Sequence, residues 1–149
     1  MQSESMKDRE IQVTRLIDAP RDLVFAAFTE QKHAEKWWIP DGTTQEWREG
    51  EGGVWRFSQP GPRAGEMPFK VEFVEITRPD RFVYDFSPDM DAAPEPTRTT
   101  VTFEEEDGKT RVTLQLLFPS AAALEHAAKF GASKGAELAL KNLADYLAK

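Results

Sequence analysis

Apolar residues recur at every second position through much of this chain. Phe82, Tyr84 and Phe86 do so, as do Val101 with Phe103, and Val112, Leu114, Leu116 and Phe118. A period of two puts each set on one face of a strand. Asp107-Gly108 separates the last two sets and is a strong hairpin-turn signal. The pattern predicts strands over Arg9–Ile17, Thr43–Arg48, Val54–Gln59, Phe69–Thr77, Arg81–Ser87, Thr97–Glu105 and Thr110–Phe118. Between them lie a Gly-rich turn ending at Gly53, a Pro60–Gly65 loop, a tight Arg78-Pro79-Asp80 turn and an acidic Pro88–Pro96 loop.

The period lengthens in two places. After the first strand, Asp18 can cap a helix and Pro20 suits its opening turn, with Leu23, Val24, Ala27 and Phe28 on one side. Thr29 reads as a second cap, before a short helix over Glu30–Trp38. The longer case is Ser120–Lys149. There Ala128, Ala132, Gly135, Ala136, Ala139, Leu140, Leu143 and Leu147 share one side, and Lys134, Glu137, Lys141 and Asp145 the other. Consecutive strands with short turns imply an antiparallel sheet, and only this last helix is large enough to cover its apolar face. The expected class is α+β.

The buried side of the long helix is graded. Its final two turns present leucines, while its middle presents Gly131, Ala132, Gly135 and Ala136. The sheet beneath is aromatic: the chain has ten Phe, four Trp and two Tyr. Either those rings fill the space under the small residues or a hollow is left, and an apolar hollow stays dry or accepts an apolar guest. The candidate ligand-binding residues are Trp55, Phe57, Tyr84 and Phe86 as walls, with Phe69, Phe73, Phe103 and Phe118 beside them. Ala132 and Ala136 leave the room, and Trp38 guards the mouth beside the Pro60–Gly65 loop. Trp37 and Trp38 are adjacent, about 100° apart on a helix, so one is core and the other stands at a rim. Alternation sets Arg56 opposite Trp55 and Phe57, so Tyr84 is better placed to orient a polar end.

Composition narrows the partners. A chain of 149 residues suits one domain, read as 9–149 after a polar, frayed 1–8 tail. A net charge of −7 argues against nucleic acid and anionic membrane, which need a basic face. No run approaches the ~18 apolar residues of a membrane span. With no signal-peptide core either, the expected location is cytoplasmic. The chain has no Cys, which excludes disulfides, thiolate catalysis and thiolate metal sites.

Motifs with chemical meaning are weak. Gly131-Ala132-Ser133-Lys134-Gly135 has the letters of a nucleophile elbow, but it sits in a helix with no later His. Gly108-Lys109-Thr110 resembles the end of a phosphate loop but lacks the earlier Gly. His33 and His126 have no partner at metal-ligand spacing. Asp85, Asp89 and Asp91 read as solvated carboxylates, and Glu104–Asp107 as a solvated hairpin end that blocks edge pairing. Glu125 and Lys129 are the only charged pair near the inner face, and they read as a rim salt bridge. No catalytic residue, metal site or cofactor is expected.

Four groups of residues carry a family resemblance. They are Asp18-Ala19-Pro20 with Val24–Glu30 and Trp37-Trp38, Gly52–Phe57, and Ile76–Tyr84, together with Gly135-Ala136 and Leu140, Leu143 and Leu147. In these the chain resembles START-like (SRPBCC) proteins, in the branch related to the activator of the large heat-shock chaperone ATPase. The resemblance implies a helix-grip fold, in which a curved antiparallel sheet wraps a long C-terminal helix with an apolar pocket between them. The branch usually carries a Trp where this chain has Ala136, a loss that should either enlarge the hollow or let neighbouring aromatics lean in. The first functional expectation is a binding protein for a small apolar or aromatic molecule. The alternatives are a module that binds a chaperone or other protein, and a cyclase- or dehydratase-type enzyme. The last would need an inward acid or base that the sequence does not offer. The chain is expected as a monomer or a homodimer, and Phe130, outside the buried stripe, suits either a dimer contact or a bend near Gly131.

Overall fold

A computed structural model describes residues 9–39, 41–60, 66–90, 95–129 and 131–148. The expectations for the 1–8 tail, the Pro60–Gly65 loop beyond Pro60, Asp91 and Phe130 lie outside those residues. The chain runs β1 (Glu10–Ile17), α1 (Arg21–Thr29), α2 (Gln31–Trp37), β2 (Thr43–Trp47), β3 (Val54–Pro60) and β4 (Glu66–Thr77). Then follow β5 (Arg81–Pro88), β6 (Thr97–Glu106), β7 (Lys109–Leu117), α3 (Ala121–Lys129) and α4 (Ala132–Leu147).

All seven strands form one antiparallel sheet in the order β1-β7-β6-β5-β4-β3-β2. Only β1 and β7 pair out of sequence, so every other neighbour is a hairpin partner. β6 is an interior strand, which corrects the reading of Glu104–Asp107 as an edge guard. Glu106 instead ion-pairs with Arg111 across the hairpin at 2.6 Å. The register shifts at Thr44/Glu46 and at Phe73/Glu75, where a bulge locally bends and twists a strand.

Two layers make the core. From α1, Phe25 docks on Phe103, and Phe28 on Phe82 and Phe103 of the sheet, while Trp37 of α2 packs against Phe28. From α4, Leu140 and Leu143 are fully buried, each a stabilisation of about 1.5–3 kcal/mol. Their weight falls toward β1 and α2.

The helix ends differ from the sequence reading. Pro20 stands at the N-terminus of α1 with no side-chain cap, so Asp18 does not serve. The Thr29 hydroxyl donates to Phe25 O, closing α1 rather than opening α2. The C-terminal segment is two helices, not one. Gly131 breaks it with φ +80°, a left-handed conformation that costs glycine nothing. The Ser120 hydroxyl starts α3 by accepting the Ala123 N–H at 3.0 Å. No residue of α3 is buried, and Ala128 and Gly135, both placed on the inner face by spacing, are exposed.

Candidate functional site

The strand register lines up a continuous run of rings on the concave face. Phe57 faces Phe69 across β3–β4, and Phe73 faces Tyr84 across β4–β5. Ring centroids step 5.2 Å from Trp47 to Trp55, 4.5 Å to Phe57, 5.9 Å to Phe69 and 5.3 Å to Phe86. The last pair is stacked at 19°. Trp38 closes the run from above, edge-on to Trp55 and to Tyr84, each at 5.2 Å.

Trp37 and Trp38 divide their roles. Trp37 is buried and donates its indole N–H to Ala27 O at 2.9 Å. Trp38 stacks on it at 5.3 Å and stays half-buried. Phe28 holds both, at 4.9 Å and 6.0 Å.

Burial along this face is graded. Trp55 is 0% exposed, Phe57 1% and Tyr84 7%. Farther along, Trp38, Phe69, Phe86 and Leu116 are half-buried. Met67, near the start of β4, and Met90, two residues past β5, reach 45% and 57% exposure. On the helical side Ala136 is 9% exposed, Ala132 is half-buried, and a Cβ built on Gly135 would meet nothing within 4 Å. Of the other sequence candidates, Phe103 packs against Phe25 and Phe28, Phe73 against Trp47 and Phe82, and Phe118 is buried just past β7.

Polar chemistry on this face centres on Tyr84. It stands opposite Thr99 across β5–β6. Burial pushes the Tyr84 phenol up to about 12, and the Thr99 hydroxyl partly opposes it. Thr99 is itself buried, and sequence reading missed it because only the register places it beside Tyr84. Trp47 Nε1 is buried with no hydrogen-bond partner among the described residues.

The cations lie on the convex face. Arg56 bridges Glu46 at 2.9 Å and Asp89 at 2.7 Å, and Arg98 grips Asp85 through two bonds of 2.8 and 2.9 Å. The Asp89 bond holds the Arg56 guanidinium above its ordinary pKa, and Asp85 does the same for Arg98. The two carboxylates therefore serve as arginine partners, not as solvated groups. Glu125 and Lys129 are exposed on α3, and no ion pair joins them among the described residues.

A groove of about 840 Å³ lies elsewhere, between the start of α2 and the β4–β5 turn. Glu30, Lys32, Glu35, Glu49 and Arg78 line it, so it is a charged, solvent-open surface unsuited to an apolar molecule.

His33 fastens α2 to α4. Its Nδ1 lies 2.7 Å from the Tyr146 hydroxyl, and the two rings meet near edge-on. Tyr146→Phe should lower the unfolding free energy by about 1 kcal/mol in urea denaturation. An unchanged midpoint would show that this bond does not fasten the helix.

Residues 18–148 match the family described as activator of Hsp90 ATPase homolog 1-like protein. The chain belongs to that family. The match spans α1 through α4 and thus every element that builds the aromatic face. No curated protein matches the chain. Among solved structures it is similar to protein Ms6760 from Mycobacterium smegmatis, with TM-score 0.84 and 22% identity over 96% of this chain and 93% of that one. It is similar to a protein from Arthrobacter aurescens, with TM-score 0.85 and 21% identity over 96% and 88%. A Staphylococcus epidermidis protein gives TM-score 0.78 and 25% identity over 93% and 89%. The family and its neighbours share the helix-grip, START-like architecture, a curved sheet closed by a C-terminal helix.

Proposed function

We propose that this protein is a cytoplasmic binding protein for a small hydrophobic or aromatic molecule, held on the concave face between α4 and the sheet. One observation carries the reading. Burial falls from complete at Trp55 and Phe57 to half at Trp38, Phe69 and Phe86, at the end where α3 buries nothing. Apolar rings left half-open on a concave surface gain about 25 cal/mol per Å² when a guest covers them. Trp55, Phe57 and Tyr84 form the floor, Phe69 and Phe86 the open wall, and Trp38 the flap. Phe73, Phe103 and Phe118 support that floor, and Ala132 with Ala136 keep the helical side low.

The uncharged fluorophore N-phenyl-1-naphthylamine tests this. It should brighten on binding and raise the melting temperature, since a ligand at a hundred times its Kd stabilises by about 2.7 kcal/mol. Ala136→Trp should fill the space and abolish both effects while the protein still folds. A silent probe, together with Ala136→Trp destabilised by overpacking, would mean the space is already filled.

Family membership favours a second reading, a module that binds a chaperone or another protein. Exposed Met67 and Met90 support it, because flexible thioethers suit adaptable contacts. Stimulation of a purified Hsp90 ATPase that is lost in a Met67→Asp, Met90→Asp double variant would establish this reading in place of the first.

A further inference from the structure

Within the aromatic face, the described inward positions of β3 to β7 are filled by rings, aliphatic side chains and hydroxyls, apart from the uncharged amide of Gln59, opposite Met67, and Glu105, which is exposed at the β6–β7 hairpin end. From Phe57, Phe69, Val71, Phe82, Phe86, Val101 and Leu114, none can carry a charge. Tyr84 and Thr99 stand opposite each other among them. Each hydroxyl holds one donor proton and two acceptor positions. The Tyr84 phenol can therefore give its proton to a guest oxygen.

The cations are turned away. Arg56 and Arg98 spend their guanidinium groups on Glu46, Asp89 and Asp85 on the opposite face, and Lys70 shares the Arg56 register. Arg15 occupies a position opposite Val112 on β1, but it is exposed and lines a shallow groove with Glu137. Lys129 and Lys134 are exposed on the helices. A carboxylate carried down to Tyr84 would lose its water and meet no positive partner, which is costly for an ion. The same burial that raises the Tyr84 pKa disfavours the ionised form of any acid beside it.

We infer that Tyr84, positioned by Thr99, is the specificity-determining residue of the concave site. It admits uncharged aromatic molecules that carry one hydrogen-bond-accepting oxygen, and the face around it rejects carboxylates such as fatty acids. This rests on the binding-protein reading above, and it adds the chemical class of the guest.

Three probes of matched shape test it: naphthalene, 2-acetylnaphthalene and 2-naphthoate, titrated by quenching of Trp fluorescence at neutral pH. In the native protein the ketone should bind about tenfold tighter than naphthalene, the worth of one buried hydrogen bond, and at least about tenfold tighter than the acid. In Tyr84→Phe the ketone should lose its advantage over naphthalene. Thr99→Val should reduce that advantage without removing it. The ratio of two affinities in one protein is insensitive to a general loss of stability. Equal binding of ketone and naphthalene by the native protein, or a ketone advantage that survives in Tyr84→Phe, would overturn the role of Tyr84. Naphthoate binding as tightly as the ketone would overturn the exclusion of acids. Failure of all three probes to bind would instead strike the binding-protein reading itself.

Discussion

Phe28→Ala should lower the unfolding free energy by about 3–5 kcal/mol, the usual loss for a phenylalanine removed from a close-packed interior. Phe28 is 1% exposed and sits where three parts of the fold meet. Its ring lies 4.9 Å from Trp37, 5.4 Å from Phe103 and 6.3 Å from Phe82. Removing it opens a cavity between α1, α2 and the sheet, and such a cavity closes only partly. The variant also withdraws the edge contact that steadies Trp38. Its effect should therefore appear twice, as a lower urea midpoint and as a red-shifted Trp emission in the still-folded fraction. A loss below about 1 kcal/mol would show that Phe28 is not the keystone its contacts imply.

Gly53→Ala should cost more than about 2 kcal/mol, because it forces a backbone rearrangement and not a side-chain adjustment. A Cβ at Gly53 would lie 2.0 Å from Arg48 O and 2.9 Å from Gly50 O. Neither carbonyl can swing aside easily. Arg48 and Val54 exchange two hydrogen bonds across the β2–β3 turn, and Gly53 O accepts the Phe73 N–H at 3.0 Å. Moving any of these disturbs Trp55, the next residue but one. Gly135→Ala is the control, the same change made where the new methyl meets nothing within 4 Å. There the helix propensity of alanine should stabilise by about 0.5–1 kcal/mol. Melting temperatures of the two variants should move in opposite directions, and a neutral Gly53→Ala would refute the clash.

The strands were legible because their signal is local. Phe82, Tyr84 and Phe86 announce a half-buried strand whatever lies across from them, and Asp107-Gly108 announces its own turn. The element ends then fell within a few residues of the observed ones. The break at Gly131 was legible only as one of two alternatives, through Phe130 standing outside the buried stripe, because Ala128, Ala132 and Gly135 keep helical spacing straight through it. A glycine in the left-handed region leaves no mark in such a pattern. The spacing also overstated the buried stripe, since Gly135 lies at its flank and α3 stands away from the core. The aromatic residues of the candidate site could be picked out by composition and alternation. Their division into covered and half-open rings could not, because that depends on how far the helices reach. Thr99 and the pairs Arg56–Asp89 and Arg98–Asp85 needed the strand register, which no single stretch of sequence specifies.

The separation of α3 from α4 has an evolutionary consequence. A segment of nine residues that hides none of its side chains contributes little to the folding equilibrium. Substitutions can accumulate there without threatening the scaffold. Homologues with the same skeleton and similar melting behaviour can then differ in the surface this segment presents, with the differences concentrated in the stretch just before Gly131.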